Sequence, residues 1–164
     1  VNSDAFWSLL DRARQTAADS PDDLEAALAQ HLRNLRVADL EAFAGHFDDA
    51  MDRAYRWDLW GAAYLIGGGC SDDAFSDFRS SLVARGLKAY EKAMADPDSL
   101  ADDDLNEEAW FHEGFGYLAA AEFERRKLKP PPRAKPHPSE PEGDEWSEDD
   151  LVAQFPRLSR KYAH

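Results

Sequence analysis

Between Arg56 and Arg79 the chain reads RWDLWGAAYLIGGGCSDDAFSDFR, and this stretch concentrates the residue types from which a site could be built. Arg56 and Asp58 bring opposite charges two positions apart, with Trp57 and Trp60 as flat apolar walls. Such a set makes either an ion pair covered by aromatics or a pocket for a small polar or cationic group. Gly68 and Gly69 belong to the only glycine triplet, and glycine is the residue that lets a backbone come close to a ligand or to another element. Cys70 stands ahead of Ser71-Asp72-Asp73, where a helix N-terminus would favour a thiolate and the two aspartates oppose it. A buried cysteine forming a hydrophobic staple with Phe75 is the structural alternative to a nucleophile, and the acids favour it. Arg56, Trp57, Asp58, Trp60, Gly68, Gly69, Cys70, Asp72 and Asp73 are therefore the candidate ligand-binding residues.

None of these residues falls into a catalytic motif, so no reaction is named. The glycine triplet resembles a phosphate cradle only superficially, because acids follow it where a P-loop carries Gly-Lys-Ser/Thr. The histidines stand at 31, 46, 112, 137 and 164, with no two at the spacing of four that places a ligand pair on one helix face. His112 and Glu113 are adjacent and point to different faces. Asp72 and Asp73 are explained by the positive end of a helix dipole. No metal and no cofactor are expected.

The elements that must position these residues are helices. Phe6, Leu10, Ala13 and Ala17 recur at helical spacing, and Ser20-Pro21-Asp22-Asp23 is a helix start leading to Leu24, Leu28, Leu32 and Leu35, with His31 at the border of that stripe. A third helix carries Leu40, Phe43, Phe47, Ala50, Met51 and Ala54. Leu59 to Ile66 make a short helix that the glycines stop, and Ser71 caps the next, which buries Phe75, Phe78 and Leu82 and ends near Gly86. Leu87 to Met94 form another. A last core helix is expected from about Asn106 to Lys127. No segment alternates as a strand does. The predicted fold is all-α: a helical domain of six or seven helices over residues 1–129, a proline-rich linker over 130–145, and a C-terminal helical segment over 146–164 that docks on the domain. Trp146 and Leu151 around Ser147 have the spacing of a staple, and Phe155, Leu158 and Tyr162 supply a docking face.

The charge balance is 19 Lys+Arg against 33 Asp+Glu, a formal net of -14. That field repels phosphate backbones and anionic lipid, which excludes nucleic acid and membrane surfaces as partners and points to a basic protein partner. A single cysteine cannot form an internal disulfide, and the N-terminal NSDAFWSLLDRAR lacks the order of a signal peptide, so the cytoplasm is the expected compartment. The longest mostly apolar run, Leu59 to Cys70, falls well short of the ~20 residues needed to span a bilayer.

FWSLLDRAR near the N-terminus, the block AYRWDLWGAAYLIGGGCSDDAFSDFRSSLVARG, the segment ADPDSLAD and the terminal WSEDDLVAQFPRLSRKY together resemble a bacterial family known as domain of unknown function 4240. The resemblance extends over nearly the whole chain and implies that the tail helix belongs to the family pattern. It implies no activity. Three function classes follow from the residues: a binding or regulatory protein meeting a basic partner through its acidic surface, a small-ligand binder or enzyme using the Arg56–Asp73 block, and a structural accessory protein.

Overall fold

The structure is a computed structural model that describes residues 2–17 and 20–163. Ten α-helices and two 3-10 turns follow one another, with no β-strand among the described residues. Helix α1 (Ser3–Ala17) lies against α2 (Pro21–Arg33). The start of α2 is built as its sequence requires: Ser20 is extended, its Oγ accepts from the Asp23 amide at 3.3 Å, and Pro21 opens the helix. Helix α3 (Val37–Arg53) closes over α1 and presents Leu40, Phe43, Phe47 and Ala50 to the core.

Helices α4 (Trp57–Gly67) and α5 (Asp72–Ala84) meet at the glycine turn, and α6 (Leu87–Ala95) follows α5 through Gly86. Ser71 caps α5 through the Ala74 amide at 3.1 Å. The core runs through the middle of these layers, where Phe6, Phe43, Phe75, Phe78, Trp110 and Phe123 are almost wholly buried. Ring stacking extends it: Trp57 on Trp60 with centroids 5.2 Å apart, Trp60 on Phe75 at 5.0 Å, and Phe78 against Trp110 at 5.1 Å.

Two elements differ from the expectation. The single helix expected over Asn106 to Lys127 is divided into α7 (Glu107–Trp110), a 3-10 turn (Phe115–Tyr117) and α8 (Leu118–Arg125). Gly114 and Gly116 fall in its middle, and each weakens a helix by ~1 kcal/mol relative to alanine, so the apolar periodicity continues through a break. The tail is likewise two helices, α9 (Glu148–Gln154) and α10 (Pro156–Lys161). Pro156 drives Phe155 out of the helical region, to φ -127 and ψ 70, and then opens α10. Ser147 makes no side-chain cap; its Oγ donates to the Asp150 carboxylate at 2.8 Å.

The tail segment is packed into the core. Leu151, Phe155 and Leu158 are buried, and Trp146 donates its indole N–H to the Trp57 carbonyl at 2.6 Å. Leu151, Phe155 and Trp146 converge on Gly61 of α4, where an added Cβ would stand 2.8 Å from the Phe155 ring. Asp98, in the 3-10 turn Pro97–Asp102, accepts from the Leu158 and Arg157 amides at 2.9 and 3.2 Å and so caps α10 from another element. The proline-rich stretch is strapped down between. Glu142 pairs its backbone with Tyr55 and Trp57, both at 2.9 Å, and Arg133 bonds Asp52 at 2.5 Å.

Candidate functional site

The Arg56–Asp73 block is brought together at the corner between α3, α4 and α5, and most of its polar groups find partners within the protein. The Arg56 guanidinium forks onto Asp58, with Nε to Oδ1 at 3.0 Å, and gives a further bond to the Met94 carbonyl at 2.9 Å. Asp58 Oδ1 also accepts from the Leu59 amide at 2.7 Å, in the first turn of α4. Trp60 donates its indole N–H to the Cys70 carbonyl at 2.9 Å, which fixes the glycine turn against the helix it ends. Trp57 carries Trp146 edge-on at 6.1 Å. Each glycine of the turn has a separate cause: Gly68 and Gly69 adopt φ 64 and 124, and Gly67 lies against Phe111, whose ring would be 3.0 Å from an added Cβ.

Cys70 is half-buried rather than enclosed, and packs against the edge of the core. Burial, with Asp72 and Asp77 nearby, pushes its thiol up to about 12, which removes the thiolate that a nucleophile needs. Asp72 and Asp73 are exposed in the first turn of α5, and Asp72 accepts from the Tyr55 hydroxyl at 3.2 Å. Arg56, Asp58 and Trp60 do not line the hollow that borders the turn. That depression, of about 560 Å³, is edged by Gly67, Gly69, Ala74, Glu107, Glu108 and Phe111.

Three features escaped the sequence reading. Arg79 is 2% exposed, lies over the Tyr55 and Phe75 rings at 4.5 and 4.8 Å, and donates to the Met51 carbonyl at 2.9 Å. Burial pulls its guanidinium below the usual arginine range. Its position four residues after Phe75 puts it on the core face of α5, and that spacing was the available signal. The second is a cleft of about 610 Å³ lined by Asp22, Asp102, Asp103, Asp104 and Glu108, where the one arginine, Arg85, is already bonded to Asp103 at 3.3 Å. The third is His112, which meets Asp22 and Glu25 of α2, with one donor atom from each within 4.8 Å of the others. Chain spacing carries no signal for that set, because α2 and the α7–α8 break are far apart in sequence.

These features define an all-α, acidic protein with a tail seated in its core and a carboxylate-lined cleft. Among the described residues no helix is long and apolar enough to cross a membrane. The chain belongs to the family described as protein of unknown function (DUF4240), whose model matches residues 1–125. The match stops before the proline-rich strap and the tail helices, so the terminal segment quoted for the resemblance lies outside it. No curated protein and no solved structure gives a significant match.

Proposed function

We propose that this protein is a binding or accessory protein that receives a basic segment of a partner protein in the acidic cleft. The observation that carries this reading is the lining itself: five carboxylates against one arginine already paired to one of them. Asp102 has counterions in Lys92 at 3.3 Å and in Arg157, whereas Asp104 and Glu108 make no ion pair among the described residues. Unneutralised carboxylates around a concave surface focus a negative field that steers a lysine or arginine side chain into it. The test is fluorescence anisotropy with an arginine-rich peptide across a salt series. Binding should weaken as salt rises and should fall about tenfold in Asp104→Asn/Glu108→Gln. The charge-matched Asp144→Asn/Glu145→Gln should bind as the parent does. Equal loss in both variants would mean attraction by net charge alone and would end this reading.

A second reading, small-ligand binding at the glycine turn of the Arg56–Asp73 block, is favoured by the hollow beside Gly67 and Gly69, which Phe111, Glu107 and Glu108 also line and in which the Arg56–Trp60 part of the block takes no share. A neutral or cationic group suits that lining better than an anion does. A thermal-shift screen of metabolites, repeated on Ala74→Leu to fill the hollow, decides it: a ligand whose shift survives the filling binds elsewhere.

A further inference from the structure

We propose that Asp22, Glu25 and His112 form a binding site for a first-row divalent cation of the Zn²⁺ class. The three side chains come from two separate parts of the fold. Asp22 and Glu25 lie three residues apart, on one face at the start of α2, and His112 projects from the break between α7 and the 3-10 turn before α8. One ligating atom from each lies within 4.8 Å of the other two, and His112 Nε2 is 3.5 Å from Glu25 Oε1. Ligands around a four-coordinate zinc at its usual bond lengths are about 3.3 Å apart, so the His112–Glu25 separation is already that of two ligands sharing an ion. Only the exposed Asp22 carboxylate has to swing inward.

Two further observations point to a ligand rather than to an ion pair alone. His112 Nε2 is shielded from solvent and has no hydrogen-bond partner, although a carboxylate stands beside it. A buried ring nitrogen without a partner is costly, and a cation accepting its lone pair removes that cost. The other observation is Gly114. Its φ of -71 and ψ of -31 are available to any residue, so the backbone does not call for glycine. An added Cβ would overlap the Glu25 carboxylate and stand 3.0 Å from His112 Nε2. Glycine at 114 therefore lets these two donors converge. The ring of His112 is steadied by Phe115, with centroids 4.8 Å apart, and its carbonyl accepts from Ser81 Oγ at 3.4 Å.

One imidazole nitrogen with two carboxylates favours Zn²⁺, Mn²⁺ or Fe²⁺ over Mg²⁺ and Ca²⁺, which prefer all-oxygen shells. Three protein ligands leave coordination positions for water, and Asp22 also lines the acidic cleft, so the ion would sit at one end of it. The proposal stands apart from peptide binding, whose assay relies on Asp104 and Glu108 and can be run with chelator present.

The test is calorimetric titration of the chelator-stripped full chain with ZnCl₂ and MnCl₂, with MgCl₂ as the contrast, joined to NMR of the histidine rings during Mn²⁺ addition. We expect one Zn²⁺ per chain and selective broadening of the His112 ring resonances. Affinity should fall at least about tenfold in each of Asp22→Asn, Glu25→Gln, His112→Asn and Gly114→Ala, and should be unchanged in Asp144→Asn. Asp22→Asn is the decisive variant, because its side chain is exposed and takes no part in the His112–Glu25 pair, so the apo protein should keep its melting temperature while losing the metal-induced rise. Absence of binding, several weak equivalents, or an affinity indifferent to Asp22→Asn and Glu25→Gln would each overturn the site.

Discussion

The aromatic corner around α4 and the acidic end around residues 102–114 use their polar groups in opposite ways. At the corner, Arg56 is bonded to Asp58 and a carbonyl, the Trp60 and Trp146 indoles each donate to a backbone oxygen, and Arg79 is covered by two rings and donates to the Met51 carbonyl, with its buried Nε left without a hydrogen-bond partner. At the acidic end, Asp104 and Glu108 line the cleft with no ion pair among the described residues, and His112 Nε2 is buried with no hydrogen bond, 3.5 Å from the Glu25 carboxylate. Folding selects satisfied groups, because a buried polar atom left unpaired costs roughly 1–3 kcal/mol. The residues most conspicuous in the sequence are thus largely accounted for by architecture. The two proposed sites draw instead on residues scattered through unremarkable segments.

The largest expected effect breaks the corner by removing what covers it. A chain ending at residue 129 loses Leu151, Phe155 and Leu158, each contributing roughly 1.5–3 kcal/mol by burial, and exposes Gly61 and the Trp57 face. Its melting temperature should drop steeply and binding of an apolar dye should rise. An unchanged melting curve would show that the corner does not depend on the tail, and the contrast between the two regions would lose one side.

Next in size is Glu122, a carboxylate used fully, and so the counterpart of Asp104. It is 5% exposed and accepts from Arg125 at 2.7 and 3.0 Å and from Arg126 at 2.7 Å, while Arg126 donates to the Leu32 carbonyl in the last turn of α2 and to the Leu35 carbonyl just beyond it. Bonding to Arg125, with Arg126 beside it, holds the Glu122 carboxyl at about 2, against an ordinary value of 4.5. A depressed folded value means stability present above the unfolded pKa and lost as pH falls from about 4.5 towards 2. Glu122→Gln should cost about 2 kcal/mol at pH 7 in urea unfolding, and its deficit relative to the parent should shrink across that acid window. A deficit independent of pH would assign the loss to packing rather than charge.

How much of this was legible follows from where each signal lies. Caps at Ser20 and Ser71, the stripes of α1 to α3 and the stop at the glycines are local patterns, and a local pattern can be read from the chain. The break at Gly114 was missed because the apolar spacing from Trp110 to Phe123 continues across it. The capping of α10 by Asp98, the meeting of His112 with Glu25 and the seating of Phe155 on Gly61 join residues distant in sequence, and no local rule pairs them. The candidate block was recognised as a place where the chain approaches itself closely, but the neighbour, Phe111 for Gly67, is supplied only by the fold.

A smaller effect should separate the halves of the candidate block. Asp58→Asn removes the charge partner of Arg56, whose side chain is 24% exposed, and should cost about 1 kcal/mol in urea unfolding. Cys70→Ser, at the half-buried edge, should cost less than that. If Asp58→Asn leaves stability untouched, Arg56 and Asp58 are not holding the corner together, and the ligand reading of the block gains accordingly.

The smallest stability change is expected where the binding change is largest. Asp104 and Glu108 are exposed, lie beside Asp102, Asp103 and Asp22, and have no ion pair among the described residues, so neutralising them removes repulsion and breaks no bond. Asp104→Asn/Glu108→Gln should therefore unfold within about 0.5 kcal/mol of the parent, on the stabilised side, and the difference should fade as salt screens the cleft. Stability measured in urea at low and at high salt checks both parts. A loss of 1 kcal/mol or more would mean that these carboxylates hold structure as Glu122 does. The acidic end would then be architecture like the aromatic corner, and the cleft would have no reserve of unspent charge with which to draw in a basic partner.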